Sequence, residues 1–229
     1  MGERLAPLIA VVGSDGSGKS TLSADLLAHV QRTRTAESGY LGLGSGEQGR
    51  RIGRWPIVGP PLHRFLDGIA DRLREPDAPV PGLIAARYAL DKSKKRRARF
   101  EQLLERRRAG VTIVTDRYPQ IEVPGLHDGP ILAGRASNAR LAAIQAEERA
   151  LYTEMAAHVP TLVIRLHVDV DTVMARKPDH DRALITRKVE TVPMLAFNGA
   201  PIVDIDATIP YDEELAIATA AVDQVLAEA

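Results

Sequence analysis

Apolar residues fall in short dense runs, separated by polar stretches rich in glycine and proline. Leu8-Ile9-Ala10-Val11-Val12 is continuous and ends at Gly13. It predicts a strand buried on both faces over 7–13. Residues 19 to about 32 read as a helix. Glycines at 39, 42, 44, 46, 49, 53 and 59 mark a loop over 39–61, with a short second strand near Tyr40 and Leu41. A short helix is expected over 62–74, before Pro76, Pro79 and Pro81 break the chain. A long helix then covers 83–109, ended by Gly110, and a buried strand covers 111–115. After a loop over 118–136, Ser137 caps a helix whose apolar stripe is Leu141, Ile144, Leu151 and Met155. Residues 161–168 form a strand, and Asp169 or Asp171 caps a helix reaching Lys177. A charged segment over 176–190, a strand over 201–205 and a helix over 212–227 complete the chain. Strands alternating with helices predict an α/β fold, a parallel sheet with helices on both faces.

The long helix breaks the pattern. From Asp91 to Arg97 it has no apolar side chain, about two turns with nothing to bury. Lys92, Lys95, Arg96 and Arg99 stand at i, i+3, i+4 and i+7, on one broad face. Such a helix, apolar at both ends and polar between, is expected to bridge a wet cleft. Its basic face has two equal readings, a wall for an acceptor phosphate or a solvated surface. Between Arg87 and Arg108, ten Lys and Arg face three acidic residues, although the 229-residue chain carries no net charge.

That neutrality argues against a general nucleic-acid binder. The length fits a single domain over 1–229. No apolar run approaches the roughly 20 residues of a membrane span. The run over 5–12 behind Met1-Gly2-Glu3-Arg4 reads as a strand, not as a signal peptide. The absence of cysteine excludes disulfides and thiolate metal sites, and the six histidines show no metal-ligand spacing. A cytoplasmic protein is the expectation, with a homodimer as a candidate assembly.

The chemistry concentrates in Gly13-Ser14-Asp15-Gly16-Ser17-Gly18-Lys19-Ser20-Thr21, a complete Walker A sequence between a buried strand and a helix. Glycines let backbone N–H groups turn toward phosphate oxygens, and the helix N-terminus adds partial positive charge. Lys19 is placed for the β/γ oxygens of ATP and Ser20 for Mg²⁺. This makes the expected architecture a three-layer P-loop NTPase fold. Asp116, at the end of the 111–115 strand, is the second candidate Mg²⁺ ligand. Arg117 follows it, suited to an anionic acceptor. Arg176, Lys177, Arg182, Arg187 and Lys188 form a second basic cluster, of the kind a closing lid over 176–190 would carry; Arg176 and Arg182 are the catalytic candidates. No Asn-Lys-x-Asp or Thr-Lys-x-Asp sequence occurs, which excludes the usual guanine reader. Gly44-Ser-Gly46-Glu-Gln-Gly49 spells GxGxxG without the strand and helix a dinucleotide site needs. Trp55 and Phe65 could flank an acceptor or pack in the core.

At these residues the chain resembles the thymidylate kinase family of nucleoside monophosphate kinases. The stretch Gly13 to Thr21 is similar to that family's phosphate loop, acidic at Asp15. Asp116-Arg117-Tyr118 resembles its Asp-Arg-Tyr/His motif, and the stretch from Val168 to Glu190 resembles its lid. The resemblance implies that Asp15 faces the acceptor's sugar hydroxyl, that Arg117 binds the acceptor phosphate and that lid arginines assist transfer. Gly16 stands where one branch has a loop arginine. After Tyr118 the family's serine pair and Ala-Tyr-Gln run are replaced by Pro119-Gln120-Ile121-Glu122-Val123-Pro124-Gly125, so a thymine pocket does not transfer.

Together these point to an Mg-ATP phosphotransferase acting on a small phosphorylated acceptor, a nucleoside monophosphate first. Two alternatives remain: a kinase for a nucleoside or sugar hydroxyl, with Asp15 as general base, and an ATP-binding switch without acceptor turnover.

Overall fold

The computed structural model of the protein describes residues 5–42 and 78–228. The expected helix over 62–74, the GxGxxG stretch, Trp55 and Phe65 lie outside them. Five strands, β1 (Leu8–Gly13), β2 (Ala36–Ser38), β3 (Thr112–Thr115), β4 (Leu162–His167) and β5 (Ile202–Asp206), form one parallel sheet in the order β2-β3-β1-β4-β5. The helices are α1 (Lys19–Val30), α2 (Leu83–Arg108), α3 (Ala139–Ala156), α4 (Val170–Arg176), α5 (Arg182–Thr191) and α6 (Tyr211–Glu228).

The continuous apolar run of β1 is explained by its central place. Successive strand residues point to opposite faces, and both faces are covered. Ile9 and Val11 pack with Leu22 and Leu26 of α1 and Val222 of α6. Leu8, Ala10 and Val12 pack with Phe100 and Leu104 of α2 and Tyr152 and Met155 of α3. This is the three-layer P-loop NTPase fold, its phosphate loop leaving the central strand. No helix among the described residues is long and apolar enough to cross a membrane.

Three local expectations are corrected. The second strand is Ala36–Ser38, paired with β3, while Tyr40 and Leu41 lie beyond it. The cap of α3 is Asn138, whose side chain accepts from the Leu141 N–H at 3.0 Å; Ser137 is exposed. The inward face of α3 includes Leu141 and Met155, but Glu148 and Tyr152 fill its middle, and Ile144 and Leu151 are only partly buried.

The polar middle of α2 is also corrected, because one face of it is buried in the protein, while Asp91, Lys94 and Lys95 stay exposed. Lys92 is 6% exposed, and Ser93 and Arg96 are fully buried. Ser93 donates to Glu148 Oε1 at 2.6 Å. Glu148 also accepts from the backbone N–H groups of Ile131 and Leu132 at 3.1 and 2.8 Å. Arg96 Nη2 donates to Asp128 Oδ1 at 2.6 Å, and its Nη1 donates to the Asp128 carbonyl at 2.8 Å and the Tyr152 hydroxyl at 3.1 Å. The proposed basic face is split: Lys95 is exposed and pairs with Asp91 at 2.7 Å. Arg99 donates to the Gly42 carbonyl at 2.5 Å and lies over the Tyr40 ring.

An arginine keeps its charge in the core, so Asp128 is what makes Arg96 tolerable there. Asp128→Asn would leave that charge without its counter-ion and is expected to cost about 3–5 kcal/mol, a fall in Tm of roughly 6–20 °C for a chain of this size. Arg96→Met combined with Asp128→Asn should recover much of the loss. Thermal unfolding followed by circular dichroism measures both, and a single Asp128→Asn variant melting with the wild type would show the pair to be dispensable.

Candidate active site

The phosphate loop is a backbone device and depends on glycine at two points. A Cβ on Gly13, where φ is 152°, would lie 2.7 Å from the Leu166 carbonyl oxygen and 2.8 Å from Ser17 Oγ. Gly16, with φ 76°, turns the chain beneath α4, where a Cβ would meet Val173 Cγ1 at 3.3 Å. Inside the loop, Ser17 Oγ donates to the Ser14 carbonyl at 2.9 Å, and both serines are buried. Gly18, at φ 90°, is the residue from which α1 starts without a side-chain cap. The first N–H groups of α1 therefore remain available to an anion at the helix N-terminus. Thr21 is exposed in that first turn, its N–H bonded to the Gly18 carbonyl at 3.0 Å.

Lys19 folds back over the loop, with Nζ donating to the Ser14 carbonyl at 2.5 Å. Burial pulls its pKa below the usual lysine value, against the opposing pull of Asp15, Asp128 and Asp116. Ser20 Oγ donates to Asp116 Oδ2 at 2.8 Å, so the two side chains singled out as Mg²⁺ ligands meet across 96 residues of chain. A hydroxyl and a carboxylate are hard oxygen donors. They fit Mg²⁺, which takes few protein ligands and completes its shell with water and phosphate oxygens. Among the described residues no group of three or more His, Asp or Glu is placed to hold a metal by itself.

Arg117 and Asp128 both lie within electrostatic reach of Lys19. Arg117 Nη1 contacts Asp128 Oδ1 at 3.4 Å, with 44% of the arginine side chain exposed against 15% of the aspartate. Burial alone would raise the Asp128 carboxyl; Arg96 and then Arg117 outweigh it and hold its pKa below the usual range. The backbone that presents Asp128 is unusual, with positive φ at both His127 (46°) and Asp128 (64°). Buried Gln120 holds this turn, its Nε2 donating to the carbonyls of Val123, Leu126 and His127 and its Oε1 accepting from the Val123 N–H. The Tyr118 ring is buried between Phe100 and Phe197, and its hydroxyl donates to the His158 carbonyl. That anchor fixes the chain just past Arg117.

The second basic cluster is divided. Arg176 Nη1 donates to the Gly16 carbonyl at 2.9 Å and Nη2 to the Ala207 carbonyl at 3.0 Å, so it ties the phosphate loop to the turn after β5. Arg182 is exposed and donates to Asp171 Oδ1 at 2.5 Å. Lys188, on α5, forms an ion pair with Asp15. Burial would raise the Asp15 carboxyl, but Lys188 first and Lys19 after it keep it below its ordinary pKa.

The structure thus brings Asp15, Lys19, Ser20, Asp116 and Arg117 together, with Arg176 on the loop's outer side and Arg182 apart. Sequence reasoning gives Asp128, Gln120 and His127 no role at the site, and it names Lys188 only as a member of the second basic cluster. An Asp-Gly pair at 128–129 signals a turn and no more. The one available clue to Asp128 was the cationic middle of α2, which demands a carboxylate if it is buried.

No protein-family model matches the chain. It is 41% identical over 210 residues to YghS, an uncharacterized ATP-binding protein of Escherichia coli strain K12, covering 91% of this chain and 89% of that protein. It is 40% identical over 220 residues to YghR, an uncharacterized ATP-binding protein of the same strain, covering 95% and 87%. The structure of deoxyadenosine kinase from M. mycoides with bound dATP aligns over 95% of this chain and 99% of its own, at 15% identity and a TM-score of 0.49. The identity with YghS and YghR, sustained over nearly the whole chain, makes this protein a member of their family.

Proposed function

We propose that the protein is an Mg-ATP-dependent phosphotransferase that moves the γ-phosphoryl group to a small phosphorylated acceptor, a nucleoside monophosphate first. The observation that carries this reading is the 2.8 Å contact of Ser20 with Asp116 beside Lys19, at the mouth of a complete Walker A loop. The naming of YghS and YghR as ATP-binding proteins agrees with it. Mg²⁺ held by Ser20 and Asp116 would neutralise charge on the β- and γ-oxygens. The loop N–H groups cradle the phosphates and Lys19 reaches the β/γ oxygens, so these residues position and stabilise rather than react. Arg117, charged and half-exposed next to Asp116, is the group for an acceptor phosphate. Residues 176–190 act as the lid segment of a single kinase domain, already seated on the phosphate loop through Arg176 and Lys188.

A second reading is favoured by Asp128. Its carboxylate already supplies an anion to Arg96 and Arg117, which suits a neutral acceptor bound through a hydroxyl. The general base such a reaction would use is Asp15, which without nucleotide is ion-paired to Lys188 and is a weak proton acceptor for as long as that pair holds.

Labelled ATP offered with nucleoside monophosphates, dTMP among them, and with the unphosphorylated nucleosides separates these readings. A phosphorylated acceptor other than dTMP is expected to lead. A nucleoside or sugar as the best acceptor would replace the first reading with the second. ATP binding without turnover on any acceptor would make the protein a nucleotide-responsive switch.

Lys19→Ala should lower transfer by about 10²- to 10³-fold while leaving the unfolding curve unchanged; wild-type turnover in that variant would remove the proposal. Arg117→Ala should cost the acceptor one charge-assisted hydrogen bond, about 1.5–3 kcal/mol, or roughly 10- to 150-fold in kcat/KM for the acceptor. ATP affinity should hardly change, because the loop contacts are intact. An equal loss in ATP affinity would place Arg117 on the nucleotide instead.

A further inference from the structure

We propose that Lys188 is a further catalytic residue, the cation that meets the γ-phosphoryl group, and that Asp15 holds it at the phosphate loop until the nucleotide arrives. This rests on the Mg-ATP reading above.

The ion pair joins two residues 173 positions apart. Asp15 is the third residue of the Walker A loop, and Lys188 stands on α5. Both side chains are partly exposed, Lys188 at 22% and Asp15 at 39%, so a ligand in the loop can reach them. A triphosphate seated there brings several negative charges beside Asp15. The carboxylate and the γ-phosphoryl oxygens then repel each other and compete for the same ammonium. The polyanion carries the larger charge, and a carboxylate with 39% of its side chain exposed can be rehydrated as the lysine leaves. Lys188 therefore transfers from the carboxylate to the phosphoryl oxygens.

The backbone beneath Lys188 is fixed, and that makes the side chain a directed one. Ile185 buries the inner face of α5, and Asp181 caps its first turn by accepting from the Leu184 N–H at 2.8 Å. His127 Nε2 lies 2.9 Å from both the Lys188 carbonyl and Thr191 Oγ1. A carbonyl can only accept, and the Thr191 hydroxyl donates to the Arg187 carbonyl at 2.6 Å. The His127 proton must then sit on Nε2 and serve both oxygens. Burial keeps this ring neutral, with its pKa pulled down to about 4. Held at its carbonyl, Lys188 has only its four-carbon stem to move, and its rotatable ammonium is suited to a small shift between two anions.

The two arginines expected to serve as the mobile cation are otherwise engaged. Arg176 spends both guanidinium ends on carbonyls, and Arg182 is exposed on Asp171. In the transfer, the bond between the γ-phosphorus and the β,γ-bridging oxygen breaks, its electron pair staying with ADP. A bond forms from an oxygen of the acceptor phosphate to the γ-phosphorus. The Lys188 ammonium donates N–H bonds to the non-bridging γ-oxygens, whose charge is spread in the transition state.

ADP has no γ-phosphoryl group, so nucleotide discrimination reads Lys188 without any acceptor. The full chain is titrated calorimetrically with Mg-ADP and with the Mg²⁺ complex of a β,γ-imido ATP analogue. Lys188→Ala should weaken the analogue roughly 10- to 100-fold, as loss of a charge-assisted hydrogen bond implies, and leave ADP unchanged. Lys188→Arg, which keeps the charge, should restore most of the difference. Asp15→Asn releases the lysine beforehand and should shift the preference further toward the analogue. If Lys188→Ala weakens both nucleotides alike, or neither, Lys188 is a brace between the loop and α5 and the inference fails while the Mg-ATP reading stands. A wild-type protein that binds neither nucleotide removes both.

Discussion

Arg96 is the residue around which the 118–136 side of the molecule is organised. Its guanidinium has no exposed surface, cannot shed its charge, and sits in the middle of α2. A charge so placed needs a counter-ion and hydrogen-bond acceptors, and leaving it without them costs more than most side-chain contacts supply. Asp128 provides both, through its carboxylate and its carbonyl. To do so the chain adopts two successive positive φ angles, one of them at histidine, where they are uncommon. Gln120 secures that turn by donating to three of its backbone carbonyls, those of Val123, Leu126 and His127. The demand of one buried cation thus determines the path of the 118–136 loop, and the loop determines which groups lie within electrostatic reach of Lys19.

The phosphate loop obeys a different constraint. Its shape comes from backbone sterics, with Gly13 pressed against the β4 carbonyl of Leu166 and Gly16 beneath α4. Its charge balance comes from elsewhere in the chain: Asp116 from the end of β3, Lys188 from α5 and Arg176 from α4. The two constraints meet at one short turn. His127 fixes the carbonyl of Lys188, and its neighbour Asp128 answers Arg96. A displacement of that turn is felt by both halves of the site.

This division explains what could be read from the sequence. The central strand, the Walker A loop and the limits of α2 and α6 rest on local signals: a continuous apolar run, glycines at fixed spacing, breakers at the ends. The failures occur where tertiary partners decide. An apolar–polar reading treats 91–97 as solvated, because it cannot see that Ser93 and Arg96 have Glu148 and Asp128 waiting for them. The same blindness affects α3, whose inward face carries Glu148 and Tyr152 as well as leucine and methionine. β2 has only Ala36 buried and is set by its pairing with β3 rather than by a pattern of its own. The Ser20–Asp116 meeting is a long-range fact that the motif logic anticipates. The Asp15–Lys188 pair is an equally long-range fact: the sequence marks Lys188 as one of five cations in a basic cluster, but nothing local says which of them reaches Asp15.

If the protein is the phosphotransferase proposed above, its choice of acceptor turns on the same buried pair. Arg96 is wholly enclosed and its two terminal nitrogens are committed to Asp128 and Tyr152. It can shape the pocket but cannot reach into it. Arg117 differs in both respects, with nearly half its side chain exposed and a contact to Asp128 of 3.4 Å, long for a charge-assisted bond. A carboxylate already claimed by Arg96 satisfies Arg117 only weakly, so Arg117 retains donors for a second anion. An incoming acceptor phosphate would gain that arginine and meet Asp128 as a like charge on its far side. Such a site favours an acceptor whose negative charge sits at one end, against Arg117, and whose neutral polar groups lie toward the aspartate. A nucleoside monophosphate has that distribution, and it would need no cation beyond the one that Asp128 leaves incompletely paired.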